Sequence, residues 1–295
     1  MIISGGEALV DLVPHPVVGG GPFNVAVAAA RLGGAAAFVG PVSTDAYGDQ
    51  IMAHLLDNGV DVTLCPRLEA PTARAIIEHT PKLVFRFEGT DTADTLLAEA
   101  DLSVFGEGPH ILHGGTLGLF RGKTAETLAS AAEEHDGLVS LDPNIRPQII
   151  SDRAGWDHFH QRWLAGTDIY KGSDEDFDWV WPGRGTDSVT EELLANGVTA
   201  VILTRGGEGL SVATRDGQLF AQAPAVEVVD TVGAGDTIVA ALLVSLAEHG
   251  VATAESLAEV TGGDWQIMAD RAVAAAAITV SRAGADTPRR DELPW

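Results

Sequence analysis

The sequence predicts an α/β protein, a mostly parallel sheet covered by helices on both faces. Short β-rich runs alternate with helical stretches from end to end, the order in which strands joined by crossover helices must come. At 295 residues, 45% apolar and 20% charged, the chain can bury one large core or two small ones. It carries no internal repeat, low-complexity tract or linker long enough to separate domains, so residues 1–295 read as one unit.

Taken in order, 1–10 reads as a first strand, 22–32 as a helix with Pro22 in its first turn and Gly33-Gly34 at its stop, and 36–40 as the next strand. In 47–58, Ile51, Met52, Leu55 and Leu56 make one apolar helix stripe that Gly59 ends. Two strand-like runs, 74–78 and 83–87, stand back to back around Thr80-Pro81 and suit an antiparallel ribbon that projects as a lid. Further strands are expected at 110–112, 138–141, 168–170 and 200–203, with helices at 123–135 and 187–196 between them. The last third ends in three helices, 234–249, 252–260 and 265–281. Since 238–246 is apolar on every side, that helix should be buried.

Charge and cysteine count exclude several classes of function. With 18 basic against 42 acidic side chains the net charge is −24, which repels nucleic acid and anionic membrane surfaces alike. The partner should be a small molecule. Cys65 alone forms neither an intramolecular disulfide nor a multi-thiolate zinc site and suits a reducing compartment. The start lacks a basic leader region, and no apolar run is long enough to span a bilayer, so a cytoplasmic protein is expected. The histidines offer no metal-ligand spacing.

The segment richest in chemistry is Val228-Val229-Asp230-Thr231-Val232-Gly233-Ala234-Gly235-Asp236-Thr237, read as a strand that breaks into a glycine turn and opens into the buried helix. Glycines let the backbone approach a ligand closely, and the first N–H groups of a helix lack internal partners and carry its positive end. An anion fits there. A carboxylate beside a phosphate repels it unless it takes a proton from the attacking group, which is the role open to Asp236; the competing reading is a helix-start residue in a tight turn. The run Gly118 to Thr124 is one residue short of a Walker loop, and Ile238 stands where a dinucleotide fingerprint needs Gly or Ala.

Asp230-Thr231-Val232-Gly233-Ala234-Gly235-Asp236 resembles the signature of the ribokinase-like (pfkB) carbohydrate kinases. Other landmarks follow in the family's order: Gly6-Glu7-Ala8-Leu9-Val10-Asp11 and Gly19-Gly20-Gly21-Pro22-Phe23-Asn24. Leu141-Asp142-Pro143-Asn144-Ile145-Arg146-Pro147, Lys171 to Asp176, Thr204 to Gly209, Glu88-Gly89-Thr90 with Thr92-Ala93-Asp94, and Ser281 to Asp286 are similar to the fructokinase branch in particular.

The resemblance implies a three-layer sandwich with a β lid, ATP and Mg2+ as co-substrates, and phosphorylation of a primary hydroxyl of a small sugar, fructose first. Ribose, 2-keto-3-deoxygluconate, nucleosides and a non-catalytic sugar-binding regulator stay open. It makes Asp236 the general base and the N–H groups of Gly233, Ala234 and Gly235 the stabilisers of the transferred phosphoryl charge. Asp11, Gly20, Asn24 and Arg146 are implied on the sugar side, and Lys171, Ser173, Thr204, Gly206 and Gly209 around ATP. Asp176 would act on magnesium through water, and Asp230, Val232 and Ala283 would surround a monovalent cation, K+.

Each carry-over has a plainer alternative. Asp11 could be strand-end turn chemistry, Asn24 a helix-start residue, Asp142 and Arg146 a structural ion pair, and Ser173 with Asp176 a helix capping box. Ser173 and Asp176 also depart from the Asn and Glu that the family more often has.

Only the seven residues 12–18 separate Asp11 from Gly19, and seven residues are too few to cross between elements and build a hairpin as well. A shortened lid, drawn from about 12–18 and 72–90, is therefore expected. Weak sugar affinity, some ATP hydrolysis without sugar, and a monomer or an atypical homodimer would follow from it.

Overall fold

The computed structural model describes residues 1–13, 15–79, 83–89, 91–99 and 109–293. Strand β1 (Ile2–Gly5) is followed, after a break at 6–8, by β2 (Leu9–Val13) and β3 (His15–Gly19). Helix α1 (Gly21–Arg31), β4 (Ala36–Val39), the short β5 (Val42–Ser43), α2 (Ala46–Asp57) and β6 (Arg67–Leu68) lead to the ribbon β7 (Ala73–His79) and β8 (Leu83–Glu88). Then come β9 (Ile111–Gly115), α3 (Gly122–Glu134), β10 (Leu138–Asp142), α4 (Arg153–Gly166), β11 (Ile169–Ser173), α5 (Asp174–Val180), α6 (Thr186–Ala195) and β12 (Ala200–Thr204). The chain finishes with β13 (Gly209–Thr214), β14 (Gly217–Gln222), α7 (Ala234–Glu248), α8 (Ala254–Ala258) and α9 (Gly262–Val280).

Eight strands form one sheet in the order β14-β13-β12-β11-β10-β9-β1-β4, parallel from β4 through β12, with the last two strands antiparallel. Successive side chains point to opposite faces, and both faces are covered. Ile2, Ile111, Leu138, Ile169 and Ala200 pack towards α1, α7 and α9. Their neighbours Ile3, Leu112, Val139, Tyr170 and Val201 pack towards α3, α4, α5 and α6. Helix α7 is buried from Asp236 to Leu246 and lies between α1 and α9, as its all-round apolar sequence requires. Trp156 and Trp163 are core residues, with Trp163 filling the space that a side chain at Gly114 would need.

Three expectations fail. The first strand does not run from 1 to 10: at Gly6, φ is +151° and a Cβ would lie 2.5 Å from the Pro22 ring, so the chain bends out of the core sheet there. Residues 226–231 form no strand. Val228 and Val229 are 59% and 60% exposed, and the N–H groups of Val229 and Asp230 donate to the Val280 carbonyl at the end of α9, so the segment is tied to a helix terminus and not to a sheet edge.

The third failure is the shortened lid. A second sheet of four strands, β3-β2-β7-β8, is complete within the chain: β2 and β3 pair antiparallel, β2 and β7 parallel, β7 and β8 antiparallel. The hairpin gains length by taking Leu9 to Asp11 and Gly19 into the lid, pairing Leu9 with Gly19 and Val13 with His15. Counting only 12–18 left out the residues that the bend at Gly6 releases from the core. The turns at Pro14 and at Thr80-Pro81 lie outside the described residues. With four strands present, the expectation of a poorly shielded sugar, and of the weak affinity and idle hydrolysis drawn from it, loses its basis.

Candidate active site

The site forms where the parallel strands end and the chain turns into helices, which is where sheets of this kind present ligands. At the start of α7, Gly233 is left-handed with φ +79°, and a Cβ there would lie 2.8 Å from the Ala285 backbone. The N–H of Ala234 turns back to the Thr231 carbonyl at 3.4 Å, while those of Gly233 and Gly235 have no acceptor among the described residues. Two of the three implied backbone donors are thus available, at the positive end of a helix of 15 residues.

Asp236 lies in the first turn of α7, 8% exposed, and its Oδ2 accepts from Asn24 Nδ2 at 2.8 Å. Burial pushes its carboxyl up to about 6; the Asn24 hydrogen bond opposes this, Asp142 adds to it, and Lys171 and Arg146 pull it down. That value suits a group that must take a proton near neutrality. Asn24 sits on α1, whose N-cap Gly20 has φ +121°; a Cβ at Gly20 would lie 2.5 Å from the Glu7 carbonyl. Asn24 therefore reaches across to the base and does not cap its own helix.

Asp11 is not at a strand end. It stands in the middle of β2 in the lid, opposite Val17 on one side and Ala75 on the other. Burial pushes its carboxyl up to about 6 against the field of Arg146. Because Arg146 acts on both Asp11 and Asp236, lid and core converge on this guanidinium.

Arg146 does not pair with Asp142. Its Nη1 folds back onto the carbonyls of Asn144 and Ile145 at 3.3 and 3.0 Å, while Asp142 takes Lys171, Nζ to Oδ2 at 2.7 Å, with both side chains buried. Burial disfavours the Lys171 charge, but Asp142, Asp176 and Asp236 together outweigh it and hold the ammonium above its ordinary value. A Cβ on Gly235 would stand 3.0 Å from Lys171 Nζ, so this cation lies against the glycine turn.

Ser173 caps α5 and, with Asp176, forms a closed capping box. Thr204 ends β12 and its hydroxyl donates to the Gly172 carbonyl at 3.4 Å. Gly206 has φ +49° in an exposed turn, and at Gly209, φ +126°, a Cβ would lie 2.1 Å from the Ala221 carbonyl. Asp230 accepts from Val232 N–H at 3.1 Å and Gly284 N–H at 2.9 Å, which joins the 230–232 turn to the loop holding Ala283. Each of its oxygens keeps a free acceptor position, so the residues present leave Asp230 able to contact a monovalent cation. The Asp176 carboxylate is engaged within the protein, one oxygen accepting from Ile145 N–H and the other from both the N–H and the hydroxyl of Ser173.

Two features of the site escaped the sequence. Glu7 is buried at 1% exposure and accepts from Gly21 N–H and Gly118 N–H, both at 2.9 Å, joining the bend before the lid, the start of α1 and the loop after β9. Burial pushes its carboxyl up to about 8. A charged residue inside the apolar start of the chain was the signal. Thr116 and Asn144 both have positive φ, +49° and +40°, and Asn144 Nδ2 donates to Thr116 Oγ1 at 3.1 Å. An Asn after Pro in a strand-end loop hints at the second, and nothing in the sequence hints at the first.

Fold and site together are those of a phosphoryl-transfer enzyme, with a glycine turn, a buried lysine and a buried carboxylate brought together at one helix start. The family described as pfkB family carbohydrate kinase matches residues 14–292. A fructokinase of Rhizobium leguminosarum bv. trifolii is 33% identical over 271 residues, 88% of this chain and 83% of that one. Among solved structures, fructokinase of Xylella fastidiosa with bound ATP superposes with a TM-score of 0.91 at 26% identity, covering 99% of this chain and 96% of that one. Fructokinase of Vibrio cholerae O395 in a form binding fructose, ADP and calcium ion gives 0.84 at 28%, covering 96% and 94%. The chain belongs to the pfkB family of carbohydrate kinases, and its fold is that of the ribokinase-like sugar kinases.

Proposed function

We propose that this chain, acting as one kinase unit of 295 residues with its lid, transfers the γ-phosphoryl group of ATP to a primary hydroxyl of fructose. The observation that supports it most is the placement of Asp236: a buried carboxyl held near 6, fixed by Asn24 from the sugar side, at the start of a helix whose free N–H groups favour an anion. The sugar hydroxyl gives its proton to Asp236 as its oxygen bonds to the γ-phosphorus, and the bond to the bridging oxygen breaks to release ADP. Gly233 and Gly235 N–H and the Lys171 ammonium face the charge on the transferred group. Asp11, Arg146 and Asn24 hold the sugar, and Ser173, Thr204, Gly206 and Gly209 line the nucleotide side. Magnesium would be carried by the nucleotide phosphates and would supply positive charge there, and the set around Asp230 would hold K+.

Fructose is favoured over other sugars by the fructokinase relatives and by the Asp-Pro-Asn-x-Arg loop. A cytoplasmic setting suits a chain whose one cysteine is buried and unpaired; no helix among the described residues is long and apolar enough to cross a membrane. The test is coupled ADP release over fructose, ribose, 2-keto-3-deoxygluconate and a nucleoside. Fructose should give the highest kcat/KM. A higher value for another acceptor overturns the substrate, and binding without turnover of any acceptor overturns the enzyme.

A further inference from the structure

Asp176 is 6% exposed, and its three hydrogen bonds run to two different parts of the site. One oxygen accepts from Ser173 N–H at 2.8 Å and from the Ser173 hydroxyl at 2.7 Å, which holds the carboxylate against the start of α5 on the nucleotide side. The other accepts from Ile145 N–H at 2.7 Å, on the loop after β10 that carries Arg146. An aspartate is one methylene shorter than the glutamate more usual here, and its carboxylate lies on the helix start.

The loop so held is under strain. Asn144 keeps φ +40°, a conformation that persists in a non-glycine residue only where its surroundings hold it. On one side the Asn144 amide is bonded to Thr116, which is itself at +49°, and its N–H donates to Asp142 Oδ1 at 3.1 Å. On the other, the next N–H along the chain is the one that Asp176 accepts. The Arg146 guanidinium in turn lies back on the carbonyls of Asn144 and Ile145. Where these two peptide units go, the guanidinium follows.

We infer that Asp176 is a positioning residue for Arg146, fastening the sugar-side loop 142–146 to the nucleotide-side helix start at 173–176, and not a residue that acts on magnesium. The inference rests on the reading of Arg146 as a sugar-side group. It predicts that fructose binding depends on Asp176 when neither metal nor nucleotide is present, because the fastening is made of protein alone.

The experiment is calorimetric titration of D-fructose into metal-stripped, nucleotide-free protein, for the wild type, Asp176→Ala, Asp176→Glu and Arg146→Ala. Asp176→Glu keeps a Ser-x-x-Glu capping box and hence the start of α5, but carries its carboxylate past Ile145 N–H; its unfolding temperature should fall by only the few degrees that one lost hydrogen bond costs. Both Asp176 variants should bind fructose about tenfold more weakly, the worth of one hydrogen bond to a charged group. The free Mg2+ concentration for half-maximal rate at fixed ATP should not move. Retained fructose binding with a raised Mg2+ requirement overturns the inference and restores the metal role.

A second readout needs no sugar. The Arg146 Nε–H resonance, assigned by its loss in Arg146→Lys, should shift or broaden in Asp176→Glu, and an unchanged resonance overturns the inference whatever the protein binds. Fructose binding that survives Arg146→Ala, or a wild type that binds no fructose, removes the sugar-side reading instead. Loss in Arg146→Ala with full binding in both Asp176 variants removes only the fastening.

Discussion

Two loops face each other across the candidate site, and they are shaped by opposite means. The turn at 233–236 is built from backbone: a left-handed glycine, two N–H groups without acceptors among the described residues and the end of a buried helix. The loop at 142–146 is built from side chains: Asp142 on Lys171, Asn144 on Thr116, Asp176 on Ile145. A turn of the first kind places fixed dipoles where charge develops, with no side chain to reorganise; the second kind places a mobile guanidinium and must be held from several directions. On the proposed function this difference would divide the labour, the glycine turn and its base serving the chemical step and the side-chain loop sugar binding.

The sharpest way to break that division is Asp236→Asn. Proton removal by a placed carboxylate is worth on the order of a hundred- to ten-thousandfold, so turnover should fall by that range while fructose and ATP still bind. A fall in fructose affinity of comparable size, read by calorimetry, would mean that the two loops do not divide the labour at all.

Next in size is the glycine turn. Gly233→Ala puts a methyl at φ +79° and 2.6 Å from the Ala285 Cβ, so the turn must open and its donors move. Turnover should drop roughly a hundredfold, as when an oxyanion donor is lost. Gly235→Ala leaves the turn's conformation intact and meets only the end of the Lys171 side chain, at 3.0 Å, and should cost less. Equal losses in single-turnover rates would show that close approach to the phosphate, and not backbone conformation, is what the glycines provide.

The same contrast explains what could be read from the sequence. The core strands are apolar on both faces and the site turn is spelled in glycine and aspartate, so the parallel sheet, α7 and Asp236 were legible without coordinates. The lid was legible as to β7 and β8 but not β2 and β3, because pairing of 9–13 with 15–19 depends on a bend at Gly6 that the packing of Pro22 imposes. Asp142 looked equally ready for Arg146, four residues along the motif, or for a distant lysine. Only the parallel neighbourhood of β10 and β11 puts Lys171 beside it. Glu7 and Thr116 have partners more than a dozen residues away, and no local spacing announces them.

The smallest effect sharpens the comparison most, because it asks whether the sugar-side helix tunes the base. With the Asp236 carboxyl near 6, the base is in its proton-accepting form above that pH and protonated below it. So kcat/KM for fructose should be level on the alkaline side and fall about tenfold per pH unit below about 6. Asn24 donates a hydrogen bond that favours the ionised carboxylate, and its removal leaves burial and the nearby Asp142, which favour the proton, opposed only by Lys171 and Arg146. In Asn24→Leu the acid limb should therefore move to higher pH, and rate at pH 8 should recover relative to rate at pH 6. Loss of a purely sugar-binding amide would lower kcat/KM by one factor at every pH, leaving the limb in place; a limb that stays put would confine Asn24 to the sugar and leave Asp236 tuned by the core alone.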